Sequence, residues 1–226
     1  PLVNAPPEFA PGQKLGEGAY GVVHEALRFG KVAGHVMKTY FTNPEHAFAV
    51  QRAFWREVNA LKALQDAPVN VPVLVEVIPP QVIIMTDVGD NLRTVRCAMP
   101  LRMHHQISDA LDYLHDCHIL HLDVKPENIT ERGQEDKIYS LIDFGSSVPM
   151  GDDPEFYSCT RWYRSPALML GVSIDENADW WALACCVAET WTGEAIFRGR
   201  WEEATLERII AELGAMPQHL LTGNWP

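Results

Sequence analysis

Apolar positions follow two rhythms along the chain. Up to about residue 88 they come in short, β-branched runs. Gly21 to Phe29 reads as a hairpin arm and Val36 to Tyr40 as a short strand. Val71 to Ile78 and Gln81 to Met85 read as two apolar strands separated by Pro79-Pro80. One helix interrupts them: residues 44–66 repeat at helical spacing, with Phe54, Glu57, Leu61 and Leu64 on one face. Beyond the polar break Val88-Gly89-Asp90 the period is mostly helical. Ile107, Leu111 and Leu114 form one stripe, and Trp180, Leu183, Ala184, Val187 and Trp191 another. The second also carries Trp181, Cys185 and Ala188, so it is apolar nearly all round and predicts a buried helix. Leu206, Ile209, Ile210 and Leu213 form a third, closed by Gly214 and Pro217. The pattern predicts an α+β chain in two parts, a strand-rich 1–88 and a mainly helical 89–226, with no internal repeat.

Composition narrows the class. The chain has 226 residues, 47% of them hydrophobic, which is a globular value. It has 18 basic and 30 acidic residues, a net charge of −12. That argues against an all-over basic nucleic-acid surface and suits basic substrates. No apolar run approaches the roughly 20 residues of a membrane span. No secretory signal is expected from the opening residues. The five cysteines form no CxxC pair, so the expected setting is reducing and intracellular, cytoplasm or nucleus, of a host cell if the source is viral. The partner expected is a protein, with neither nucleic acid nor membrane.

Four groups carry chemistry. Gly16-Glu17-Gly18-Ala19-Tyr20-Gly21-Val22-Val23 is a GxGxxGxV loop, whose glycines let the backbone approach phosphates. A hairpin follows it instead of a helix, which favours a flap over ATP over a dinucleotide fold. Lys38 ends a strand, and Glu57 lies on the apolar face of the next helix. A buried carboxylate needs a partner, and Lys38 is the natural one. His121-Leu122-Asp123-Val124-Lys125-Pro126-Glu127-Asn128 puts a base, a cation and an amide on one loop. Fifteen residues after Asn128 comes Asp143-Phe144-Gly145, where a carboxylate can chelate Mg²⁺.

In this ordered set the chain resembles the eukaryotic protein kinases, from the glycine loop to the helix near 213. The resemblance implies a two-lobed fold with ATP and Mg²⁺ in the cleft and transfer of the γ-phosphoryl group to protein Ser or Thr. It makes Asp123 the catalytic base and has Lys125 stabilise the moving phosphoryl group. Lys38 and Glu57 position the ATP phosphates, and Asn128 and Asp143 hold Mg²⁺. Gly16, Gly18 and Gly21 cover the phosphates, and Val23 and Val36 cover adenine. Met85 is the gatekeeper, the backbone of Thr86 and Val88 bonds adenine, and Asn91 is a ribose candidate.

Thr160-Arg161-Trp162-Tyr163-Arg164-Ser165-Pro166 resembles the end of the activation segment in the cyclin-dependent, mitogen-activated, dual-specificity and SR-protein kinase group. The Glu189 to Gly193 and Leu206 to Pro217 stretches are nearest the SR-protein and dual-specificity branch. By this resemblance Thr160 is the substrate-site threonine, and Arg164 shapes the pocket after the acceptor. With the net charge, it implies basic, Arg/Ser-rich or Pro-flanked substrates.

The pattern departs in four places. Leu122 replaces an arginine, Ala167 replaces a glutamate, and Thr130 stands where an apolar adenine floor is usual. The chain also stops at Pro226, before the family's two last helices. A compact, divergent or viral kinase is expected, monomeric, with Leu206 to Leu221 and Trp225 covering the helix near 180–191. Leu122 and Ala167 also motivate an alternative, a pseudokinase acting as a scaffold. A small-molecule kinase is argued against by the Thr160 to Pro166 segment. His115, His118 and His121 lack a thiol to complete a zinc site, and His121 reads as a structural loop residue. Cys159 beside Thr160 reads as inert and Cys185-Cys186 as core.

Overall fold

In the computed structural model, residues 8–42, 44–152, 160–172 and 174–222 are described. The first part is a five-stranded antiparallel sheet and one helix. Its strands are β1 (Phe9–Glu17), β2 (Gly21–Arg28), β3 (Lys31–Tyr40), then after α1 (Ala47–Ala63) β4 (Leu74–Ile78) and β5 (Val82–Thr86). They lie in the order β1-β2-β3-β5-β4. Register sets the chemistry. Gly16 pairs with Val23, Val23 with Lys38, and Lys38 with Ile83, while Val36 pairs with Met85. The glycine loop, the lysine and the strand before the hinge are thereby placed side by side.

Helix α1 buries Val50, Ala53, Phe54, Glu57, Val58, Ala60 and Leu61, so its apolar stripe carries a carboxylate into the interior. It packs on the Phe144–Ser146 turn of the second part.

The second part contains β6 (Asp90–Asn91), α2 (Pro100–Asp116), β7 (Ile119–Leu120), β8 (Ile129–Arg132), β9 (Ile138–Leu141), β10 (Val148–Pro149), α3 (Pro166–Met169), α4 (Asn177–Thr192) and α5 (Glu202–Leu213). Strands β6, β8 and β9 form a small sheet, and β7 pairs with β10. Proline at the first turn of α2 suits a position with no helical hydrogen-bond partner. The helix buries Met103, Ile107, Ala110, Leu111 and Leu114 against β9 and α4. One hydrophobic cluster runs from Tyr40 and Phe54 through Leu111 and Phe144 to Cys186 and Ile209, so the two parts share a core.

Two expectations about the helices are corrected. Helix α4 is not buried all round. Its inner face is Ala178, Asp179, Ala182, Leu183, Cys185, Cys186 and Glu189. Ala184 is exposed, and Trp191 is 67% exposed. Two carboxylates take inward positions because backbone and side-chain donors meet them there. On α5 the stripe divides. Ile209 is buried and Leu206 packs on the core, whereas Ile210 and Leu213 face outward. Ile209 belongs to the shared core with Leu206 and Met216 packed against it, α5 meets the 161–163 turn, and Trp181 of α4 stacks on Phe197 with centroids 5.5 Å apart. Trp225, Cys159, Tyr157 and Ser158 lie outside the described residues.

Candidate active site

The strand and helix positions above converge on three ionised groups. Lys38 Nζ lies 2.6 Å from Glu57 Oε2 and 2.6 Å from Asp143 Oδ1. The Tyr40 hydroxyl also donates to Glu57 Oε2. Burial opposes the ammonium, but the Asp143 and Glu57 carboxylates outweigh it and raise the Lys38 pKa. Burial would likewise raise Asp143, yet Lys38 holds its carboxyl down at about 2. One cation serves two carboxylates, and burial leaves Glu57 the less compensated, with its pKa raised.

Asp143 adopts a left-handed backbone, φ 64°, directly before Phe144-Gly145. The preceding Ile142 N–H donates to the Asn128 carbonyl at 3.0 Å, bringing Asp143 alongside Asn128.

The loop between β7 and β8 carries the second cluster. Asp123 Oδ2 accepts from Lys125 Nζ at 2.6 Å and from Asn128 Nδ2 at 3.1 Å. Asp123 Oδ1 accepts from both the backbone N–H and the hydroxyl of Thr160, each at 3.0 Å. Lys125 Nζ also reaches Thr160 Oγ1 at 3.0 Å. Asp123, Lys125, Asn128 and Thr160 therefore form one hydrogen-bonded unit. His121 bonds the Ile142 carbonyl at 3.1 Å and stacks edge-on against Phe144, the structural role expected of it. Among the described residues no group of His, Cys, Asp or Glu gathers to hold a metal by itself.

Sequence reading placed Asp179 only at the start of the buried helix and gave no role to the group that fixes this loop. Asp179, fully buried on α4, accepts from the backbone N–H groups of His121 (2.8 Å) and Leu122 (2.7 Å) and bonds His115 Nε2 at 2.9 Å. The available signal was a carboxylate at the start of an otherwise apolar helix. Leu122 takes φ 61° to present its N–H there, and its side chain packs with Leu120, Val148 and Ala178.

At the hinge, Met85 is buried and Val36 lies across from it. The Thr86 N–H donates to Val73 O at 3.0 Å. The Val88 carbonyl accepts from Thr130 Oγ1 at 3.0 Å, so the polar atom of the unusual floor residue is turned to the chain itself. Asp87 bridges the two parts: its N–H donates to Gly34 O at 3.0 Å, and its carbonyl accepts from Arg132 at 3.1 Å.

Asn91 is placed differently from expectation. Its Oδ1 accepts from the N–H groups of Arg93 (3.0 Å) and Thr94 (3.2 Å), so it caps a turn and offers a ribose only its amide nitrogen. Arg164 is buried, bonds Glu202, and lines the same small pocket as Asp123 and Thr160. The glycines divide as well. A Cβ at Gly21 would fall 2.4 Å from Thr39 O, so the fold requires that glycine. A Cβ at Gly16 or Gly18 would meet nothing within 4 Å, so packing within the chain demands neither.

These residues fit a divalent cation. Asp143 is held ionised, and Asn128 turns its amide nitrogen to Asp123, which leaves the amide oxygen for a hard metal.

The family model described as the protein kinase domain matches residues 9–226. The chain is 38% identical over 136 residues to a probable serine/threonine-protein kinase dyrk2 of Dictyostelium discoideum, covering 60% of this chain and 14% of that protein. It is 32% identical over 224 residues to the mitogen-activated protein kinase p38b of Drosophila melanogaster, covering 89% of this chain and 59% of that protein. To the p38a kinase of the same fly it is 30% identical over 233 residues, covering 92% and 61%. The chain thus spans less than two thirds of the length of each of these relatives.

Proposed function

The chain belongs to the protein kinase family, and from that premise we propose that it transfers the γ-phosphoryl group of ATP to serine and threonine hydroxyls of proteins. The observation that carries the reading is the bonded unit of Asp123, Lys125, Asn128 and Thr160, set beside the Lys38–Asp143 pair.

Asp123 accepts the proton of the attacking hydroxyl, in the place where it now accepts from Thr160. Lys125, already beside Asp123, supplies positive charge toward the moving phosphoryl group. Lys38, held by Glu57, exchanges its contact with Asp143 for the α- and β-phosphates, while the open backbone at Gly16 and Gly18 admits the phosphates from above. Thr86 offers its carbonyl and Val88 its N–H to adenine. Asn128 and Asp143 would hold Mg²⁺, which when bound neutralises phosphate charge. Most of the rate enhancement then comes from positioning and fixed charge.

The scaffold alternative has less support. Leu122 packs into an apolar cluster and leaves Asp123, Lys125 and Asn128 bonded as catalysis requires. Basic protein substrates follow from the net charge of −12, and a monomeric, intracellular enzyme is part of the same proposal.

The test is transfer of labelled γ-phosphate to a basic test protein. Asp143→Asn and Lys38→Met are expected to cut turnover by about 10²-fold or more, on the scale of removing one preorganised charge, while the far-UV dichroism stays that of the parent. Near-normal turnover in either variant overturns the proposal.

A further inference from the structure

Arg93, which no sequence motif singles out, ties together three segments that phosphotransfer needs in register. Its backbone is fixed first. The Arg93 N–H donates to Asn91 Oδ1, and the neighbouring Leu92 N–H reaches the carbonyls of Pro126 (3.1 Å) and Ile129 (2.9 Å). Each guanidinium nitrogen then has its own acceptor. Nε donates to Glu127 Oε1 at 2.6 Å, Nη1 to Glu189 Oε1 at 2.7 Å, and Nη2 to the Tyr163 hydroxyl at 2.8 Å. Tyr163 in turn donates to Glu189 Oε2 at 2.6 Å.

The three partners come from separate elements. Glu127 stands between Pro126 and Asn128 on the catalytic loop. Tyr163 closes the 161–163 turn that follows Thr160. Glu189 projects inward from α4. Tyr163 and Glu189 are buried, so their positions are set by packing and not by solvent. Two carboxylates this near one another repel unless a cation lies between them. A planar guanidinium can face three acceptors in fixed directions, which an ammonium cannot.

We propose that Arg93 is a positioning residue for the reaction: its guanidinium holds the acceptor-side turn, through Tyr163, against the catalytic loop that carries Asp123. This rests on the phosphotransfer reading. The clamp lies on the acceptor side of the cluster and touches none of Lys38, Asp143 or Met85. Its loss therefore falls on the protein acceptor more than on ATP.

The experiment uses Arg93→Ala and Arg93→Lys in the full chain, with steady-state kinetics for a basic peptide and for ATP and with thermal melts. Arg93→Ala is expected to lower kcat/KM for the peptide on the order of 10–100-fold, the scale of one or two charge-assisted hydrogen bonds, with KM for ATP changed less than about 3-fold. Millimolar methylguanidinium is expected to restore part of that activity and to raise the melting temperature of Arg93→Ala but not of the parent. Methylammonium should do neither. Arg93→Lys, which keeps the charge and loses the fork, should retain most of the defect.

Peptide kinetics like the parent's in either variant would overturn the proposal, as would an equal loss for ATP and peptide or a folded Arg93→Ala that methylguanidinium neither activates nor stabilises. If Arg93→Ala does not fold, the Arg93→Lys kinetics decide alone. A parent chain without any transfer activity would instead defeat the functional reading, and the melts would still report whether the clamp exists.

Discussion

Leu122 has a defined environment in place of the arginine usual at its position: its N–H is bonded to Asp179 and its side chain lies among Leu120, Val148 and Ala178. Leu122→Arg would put a cation into that apolar cluster and should destabilise the protein by about 2 kcal/mol or more, read from urea denaturation. A leucine also cannot read a phosphate on the activation segment. Activity is therefore expected without phosphorylation of Tyr157, Ser158 or Thr160, and phosphatase treatment of pure protein checks it. A phosphate on Thr160 would face the Asp123 carboxylate that its hydroxyl now contacts, so modification there should inhibit. Asp179→Ala strands two buried N–H groups and should cost on the order of 2–5 kcal/mol together with most of the turnover. Lys38, Glu57, Asp123, Lys125, Asn128 and Asp143 were legible in the sequence because phosphate, metal and proton transfer fix residue types at near-fixed spacing. Arg93, and the role of Asp179, were not. They act on backbone N–H groups and on side chains 34 to 96 positions away, and no local pattern records such partners.

The elements show the same division. Helices α1 and α2 lie where their stripes placed them, since one face of each meets a continuous core. Strand β1 escaped notice because Pro11, Gly12 and Lys14 interrupt any alternation, and β3 begins five residues before its legible part because Gly34, at φ 67°, breaks the pattern. Strands β6, β7 and β10 have two residues each, too few to carry a period. On α5 the divided stripe makes a quantitative contrast. Ile209→Ala should cost about 2–4 kcal/mol through a core cavity, whereas Leu213→Gln, at a position 64% exposed, should stay within about 0.5 kcal/mol. Near β8, burial would raise the Glu131 carboxyl, but Lys137 at 2.8 Å and the Tyr139 hydroxyl at 2.6 Å hold it below its ordinary 4.5. A depressed folded pKa stabilises above the unfolded value and loses that stabilisation as pH falls through the folded one. Denaturation midpoints taken from about pH 6 down to pH 3 should therefore fall less steeply in Glu131→Gln than in the parent.

At the scale of the whole molecule the charge of −12 has a measurable consequence. If basic peptides are steered to the site, their kcat/KM should fall several-fold between roughly 50 and 300 mM salt, while a neutral peptide's should not. A flat response would remove charge as the source of selectivity. The last consequence is mechanical and lies in Asp87. Its N–H is held by Gly34 of the sheet, its carbonyl by Arg132 of the helical part, and the next carbonyl by Thr130. One residue is thus gripped from both sides, so any turning of one half against the other would have to be taken up in its two torsions or break these bonds. Such a turn would separate Met85, on the sheet, from Thr130, on the helical part, and draw Lys38 off Asp143. Asp123, Lys125, Asn128 and Thr160 all ride on one half, so breathing of the cleft would gate the nucleotide while the acceptor machinery stayed assembled.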